Sequence, residues 1–219
     1  MAARAERARI EERLVDAGRI LGVRVSVSDG TDWAATPEGM RVGLGFFLDR
    51  GHPPEEAGAL ALRELWATVR WARLAPERLF RRRAIERARP ELAALLLSID
   101  RAQAGTEVRA AMPGALVGLR DATERSIPQD LSDWPVAAQW LGLLLRSSLG
   151  LGTRVAPPVR AEARGLARAG ATSADVLGRV LGPAPGCSAV DRLDRALAVL
   201  APPGLRLAAL TAAGLGDPG

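Results

Sequence analysis

No lysine, asparagine or tyrosine occurs in the 219 residues, and cysteine and histidine occur once each. Each absence excludes something. A single cysteine, Cys187, rules out a disulfide within the chain and a cysteine-based zinc site. One histidine, His52, cannot supply a paired-imidazole metal site. Without lysine there is no Walker-type phosphate loop, although "GLGFF" and "GLGLGT" are glycine-rich. No run of about 18 apolar residues free of charge is present, so no membrane span is expected. The N-terminal "MAARAERARIEERLVDAG" is charged and amphipathic rather than a secretory leader, and a cytoplasmic protein is expected.

What is there is arginine. All 30 basic residues are arginines, against 25 acidic ones, and the formal net charge is +5. This bias is most simply a GC-rich coding bias, as in many bacteria. It raises the sequence pI to about 11.0 without making the chain strongly basic, so it is a weak argument for nucleic acid. A hydrophobic content of 48% is enough for a sizeable core.

The chain opens with an amphipathic helix over Arg4–Leu21, whose Ile10, Leu14, Ala17 and Leu21 fall on one face. Val23, Val25 and Val27 then alternate with polar residues, which predicts a half-buried strand. A β-hairpin is expected from Trp33 to Gly45, turning at Pro37–Gly39. The rest reads as helices bracketed by proline or glycine: Pro54–Trp71, Pro76–Ala88, Pro90–Ala104, Gly114–Arg125 and Pro135–Leu149. Shorter ones follow at Pro158–Ala169, Ser173–Leu181, Ser188–Leu200 and Leu205–Ala213. The expected fold is α+β and predominantly helical, with a small antiparallel sheet near the N-terminus followed by a multi-helix domain. "SLGLGTRVAPPVR" is the best linker candidate, between residues 1–149 and a helical C-terminal region, 150–219, which is either a separate unit or part of the same domain.

The helix over residues 54–71 poses the central question. On a wheel of 100° per residue, Glu56, Arg63 and Arg70 form a narrow polar stripe. Glu64 falls away from it, among Leu60, Ala57 and Trp71. A carboxylate buried there is costly unless an arginine or hydrogen-bond donors meet it.

The hairpin "AATPEGMRVGLGFF", followed by a proline-started helix with a central glutamate, resembles the start of a zincin-type metallopeptidase domain. It is most similar to those found beside von Willebrand A-like modules and MoxR-type ATPases in bacteria. The likeness covers residues 20–75. In that family the helix bears His-Glu-x-x-His, two histidines binding zinc and the glutamate acting as general base. Here the window reads Arg63-Glu64-Leu65-Trp66-Ala67. Arg63 and Ala67 stand where the histidines would be, so the resemblance implies a degenerate, metal-free domain. Glu64 is then either a structural ion-pair partner or the relic of a catalytic ancestor.

Other chemistry finds little support. Cys187 lies at an expected helix start without a histidine near it in sequence, and reads as a small capping-region residue. The basic run "RLAPERLFRRRAIERARPE" offers Arg78, Arg81, Arg82, Arg83 and Arg87 as an anion- or partner-binding face. Its simpler reading is a solvated helix with Arg–Glu pairs. Tryptophans 33, 66, 71, 134 and 140 read as core packing.

The function expected on these grounds is a non-catalytic protein-interaction or scaffold role, with no catalytic residue, metal or cofactor. The resemblance implies a MoxR-type ATPase or a von Willebrand A-like protein as partner. The alternatives are a metal-dependent hydrolase with an unusual site at Glu64 and an arginine-rich nucleic-acid-binding protein.

Overall fold

Prolines start the helices where the sequence placed them. In the computed structural model, Pro54 and Pro76 open α-helices, Pro90 and Pro113 open 3₁₀ turns, and Pro135 is an N-cap. Proline has no N–H to lose at a first helical position, and its fixed φ suits it. Residues 2–36, 39–167, 181–182 and 186–200 are described. Pro37, Glu38, the expected helix Leu205–Ala213 and all but the last residue of Ser173–Leu181 lie outside them.

The chain forms two compact units, residues 1–74 with 108–126, and residues 75–107 with 127–219. The chain crosses between them at 74/75, 107/108 and 126/127, the second crossing lying within helical sequence. The expected linker is built into the second unit. Leu131 N–H donates to Arg154 O at 2.8 Å, Arg154 N–H to Gln129 O at 2.7 Å, and Ala156 N–H to Gln139 Oε1 at 2.8 Å.

The first unit begins with α1 (Ala2–Leu21). Its expected stripe, Ile10, Leu14, Ala17 and Leu21, is buried throughout. Gly22 ends the helix at φ 65°. Val23 N–H reaches back to Gly18 O and Gly22 N–H to Arg19 O, a glycine-closed C-terminus. The strands β1 (Arg24–Ser28), β2 (Trp33–Thr36) and β3 (Gly39–Gly43) follow.

β2 and β3 pair antiparallel as the hairpin expected, with Trp33 opposite Val42. The sheet as a whole is mixed, however, with β3 central and β1 joined to it in parallel, Val25 opposite Met40. Period-two patterning identifies strands but carries no information on their direction.

α2 (Gly45–Leu48) leads to α3 (Pro54–Leu65), which packs against α1 and against α7 (Leu116–Ser126). α3 runs into one π-helical turn, Trp66–Arg70, and then α4 (Trp71–Leu74). The helix expected from 54 to 71 is therefore continuous in path but not in phase, and a 100° wheel misplaces everything past residue 65.

The second unit holds α5 (Pro76–Ala88), α8 (Val136–Ser148), α9 (Pro157–Ala167) and α10 (Ala189–Leu200). α6 (Ala93–Ala111) carries the chain from one unit into the other. The core of the second unit is aliphatic, centred on Ile85, Leu96, Ile99, Leu144, Leu193 and Leu197. A smaller cluster of Leu131, Val155 and Val159 has Trp140 packed against it. Among the described residues, no helix is long and apolar enough to cross a membrane.

Two glycines on the same side of α3 make opposite demands. A Cβ at Gly118 would lie 2.7 Å from Glu55 O and 3.1 Å from the Ala59 Cβ, whereas one at Gly114 would meet nothing within 4 Å. Gly118→Ala is expected to lower stability by about 1–3 kcal/mol by prising α7 off α3. Gly114→Ala should leave the denaturation midpoint within error. Equal midpoints for the two variants would refute this packing.

Candidate functional site

The only histidine is placed by local backbone geometry. Gly51 adopts φ 63°, Gly51 N–H donates to Leu48 O at 3.1 Å, and His52 N–H donates to Phe47 O at 3.0 Å. This closes α2 and turns the His52 ring inward. The imidazole stacks on Phe46 and meets Phe47 edge-on, each with centroids 6.1 Å apart, and Trp33 completes the aromatic group. Two prolines then start α3, putting Glu56 at its third position, one turn beyond the histidine.

His52 and Glu56 are 2% and 4% exposed. Nδ1 of His52 lies 2.7 Å from Glu56 Oε2, and with the carboxylate ionised its N–H is the donor. From α7, Arg125 grips the same carboxylate, Nε donating to Oε2 at 3.0 Å and Nη2 to Oε1 at 2.9 Å. Burial by itself pushes the Glu56 carboxyl up. The hydrogen bonds and charge from Arg125 and His52 outweigh it and hold the group below its ordinary value.

The buried carboxylate of α3 is thus Glu56, which the wheel assigned to the polar stripe. Glu64 is half-buried, its side chain 12% exposed, and it accepts hydrogen bonds from its neighbour Arg63 at 2.9 and 3.1 Å. Ala67, the other degenerate-motif position, is buried in the π turn. Among the described residues, no three His, Cys, Asp or Glu side chains are grouped to hold a metal.

The arginine run also behaves differently from a solvated face. Arg73 belongs to the first unit and donates to Gly22 O at 2.6 Å. On α5, Arg78 is buried and pairs with Asp100 of α6, and its Nη1 donates to Ala189 O at 2.8 Å. Arg82 reaches the other oxygen of Asp100 at 2.8 Å and also holds Glu86. Arg81 pairs with Asp194 of α10 at 3.1 Å.

Burial lowers the Arg78 guanidinium from its ordinary value despite Asp100, and raises the Asp194 carboxyl despite Arg81. Three of the five arginines expected to bind a partner therefore tie helices together within their unit. Arg83 and Arg87 stand exposed beside Phe80, which is 68% exposed. Asp100 and Asp194, the partners of Arg78, Arg82 and Arg81, lie about 20 to over 100 residues away in sequence, beyond any i,i+4 rule.

Cys187 precedes α10 and is half-buried. The helix start is a reciprocal cap: Ser188 N–H donates to Asp191 Oδ2 and Asp191 N–H to Ser188 Oγ, both at 3.1 Å. The expected capping-region placement holds.

One feature of the first unit has no counterpart in the sequence reading. A groove of about 600 Å³ lies over α3 between α1 and α7. α1 contributes Arg13, Asp16, Ala17 and Ile20, α3 contributes Glu55, Gly58, Ala59 and Leu62, and the turn into α7 contributes Gly114, Val117, Gly118 and Asp121. Each set has the spacing i, i+3, i+4, i+7, one helix face. Small residues make the floor, while Ile20 and Val117 on the rim are 61% and 67% exposed. The buried edge of Glu56 also borders the groove.

Comparison with protein-family models, with characterised proteins and with solved structures finds no match for this chain.

Two substitutions test the ion pairs. Glu56→Ala is expected to cost about 1.5–3 kcal/mol, the worth of hydrogen bonds to a charged group, because Arg125 is half in solvent and escapes a full desolvation penalty. A folded pKa below the ordinary glutamate value gives stability that is complete above that value and is lost as pH falls through the folded pKa. Glu56→Gln should therefore flatten the acid limb of stability against pH. An unchanged acid limb contradicts the assignment.

In the second unit, Asp100→Ala strands Arg78 and is expected to cost about 3–5 kcal/mol. Charge reversal at Arg81 and Arg82 should unfold that unit, whereas reversal at Arg83 and Arg87 should be tolerated. Denaturant melts of these variants decide the point.

Proposed function

We propose that this protein acts by binding another polypeptide in the groove over α3, without chemistry of its own. The observation that carries the reading is the convergence of three helix faces on one open trough, with two aliphatic side chains left largely in water at its rim. Grooves of this shape, with small floors and apolar edges, suit side chains that insert from a partner.

The polar cluster beside the groove supports the same reading. His52 and Glu56 are each buried, and the carboxylate is already held by Arg125, an arrangement that serves position rather than turnover. The likeness of residues 20–75 to a zincin-type domain with Arg63 and Ala67 in the ligand positions fits a scaffold descended from an enzyme. By that analogy alone, a MoxR-type ATPase or a von Willebrand A-like protein is the first partner to try.

The test is a photo-crosslinking residue at Val117, compared with one at the exposed Val136 of α8, in cells that make the protein naturally. A polypeptide adduct at position 117, absent at 136 and lost on Ile20→Asp, is expected. No adduct at 117, or one indifferent to Ile20→Asp, would sink the docking reading. A chelator should leave the adduct and the melting temperature unchanged.

A further inference from the structure

We infer that the occupant of this groove is a short amphipathic helix with basic flanks, a deepening that rests on the docking reading above. Three observations lead there: the matched spacing of the lining, the nature of the floor, and the charge of the rim.

The lining faces each run from i to i+7, about 10 Å of helix at 1.5 Å per residue. An occupant that meets all three faces along that length is about two turns long. Its side chains at i, i+3, i+4 and i+7 would oppose the same spacing on α1, α3 and α7.

The floor sets the depth. Gly118 and Gly58 are taken up by the contacts of α7 and α1 with α3, whereas Gly114 faces open space, so it is at the Gly114 end that a backbone can approach closely. Most of the lining is helix side, whose backbone groups are engaged in their own ladders. An extended segment entering here would leave its N–H and C=O groups unpaired, whereas a helix satisfies them internally. An aliphatic ridge on that helix covers Ile20 and Val117.

The rim sets the sign. The whole chain has more basic than acidic residues, 30 against 25, yet the lining has four carboxylates, Asp16, Glu55, Glu56 and Asp121, and one arginine, Arg13. Glu56 is neutralised by Arg125, and Asp16 has Arg19 at 2.6 Å. Glu55 has Arg13 only at 3.9 Å, with both side chains more than half exposed. Asp121 is exposed on α7, with Arg125, already bound to Glu56, as its nearby cation. Arginine or lysine on the flanks of the docked helix would complement Glu55 and Asp121, and acidic flanks would be repelled.

The experiment uses the full-length protein and three synthetic peptides of roughly four turns, identical in their leucine ridge and differing only in flanking arginine, glutamine or glutamate. Binding is followed by fluorescence anisotropy at low and high salt. The expected order is arginine over glutamine over glutamate, with at least about a tenfold gap between the extremes. That gap should close at high salt and in the Glu55→Gln/Asp121→Asn double variant.

Gly114→Leu, which adds a side chain where nothing lies within 4 Å, should abolish binding of all three. Val117→Asp serves the same purpose if the leucine variant melts early. Binding that either variant suppresses, but that ignores the flanking charge, refutes the basic partner and leaves the groove reading standing. Binding that neither variant affects, or no binding by any peptide, refutes both. A protein that self-associates through the groove, with dissociation on Val117→Asp, replaces the separate partner with a second copy of the chain.

Discussion

The first unit depends on one buried carboxylate. Glu56 sits at the third position of α3, where neither water nor the helix itself can satisfy it, and an ionised group there is tolerable only if it is fully paired. His52 and Arg125 do so from either side. One partner comes from the loop closed by Gly51, the other from α7, 69 residues along the chain. The carboxylate therefore joins the sheet end of the unit to its last helix through α3. Gly118 lets that helix sit directly on the Glu55 backbone, and the trough beside this contact is the groove.

In the second unit the same chemistry is distributed differently. Asp100 divides its two oxygens between Arg78 and Arg82, while Asp194 takes Arg81. A chain whose only cation is arginine meets carboxylates with planar, multidentate donors throughout. The pairs join α5 to α6 and α10 around an aliphatic core that supplies no direction of its own. Much of the apparent positive surface of α5 is consumed in this way. With Arg78, Arg81 and Arg82 turned inward, the partner surface we propose is the acid-rimmed groove of the other unit, and the partner proposed is basic rather than acidic.

The same residues explain why a wheel centred on Glu64 overlooks a buried carboxylate about two turns earlier on the same helix. A uniform wheel from 54 to 71 assumes one helical period, but the π turn at Trp66–Arg70 shifts the phase of everything after it. The wheel also judged Glu56 by its companions Arg63 and Arg70. Its environment is set instead by Arg125, which no local pattern connects to it.

Sequence alone determined the predominantly helical α+β class, the helix starts at their prolines, the apolar stripe of α1 and the β2–β3 hairpin. These follow from backbone restrictions and short-range periodicity, which act between residues a few positions apart. Tertiary structure alone decided the direction of β1, the placement of the unit boundaries, the burial of Glu56, the inward pairing of Arg78, Arg81 and Arg82, and the groove itself. Each depends on what stands opposite a side chain. Periodicity gives the direction in which a residue points along its own helix, whereas the charge or surface it meets is brought there by chain that may be a hundred residues distant, as Asp194 is from Arg81.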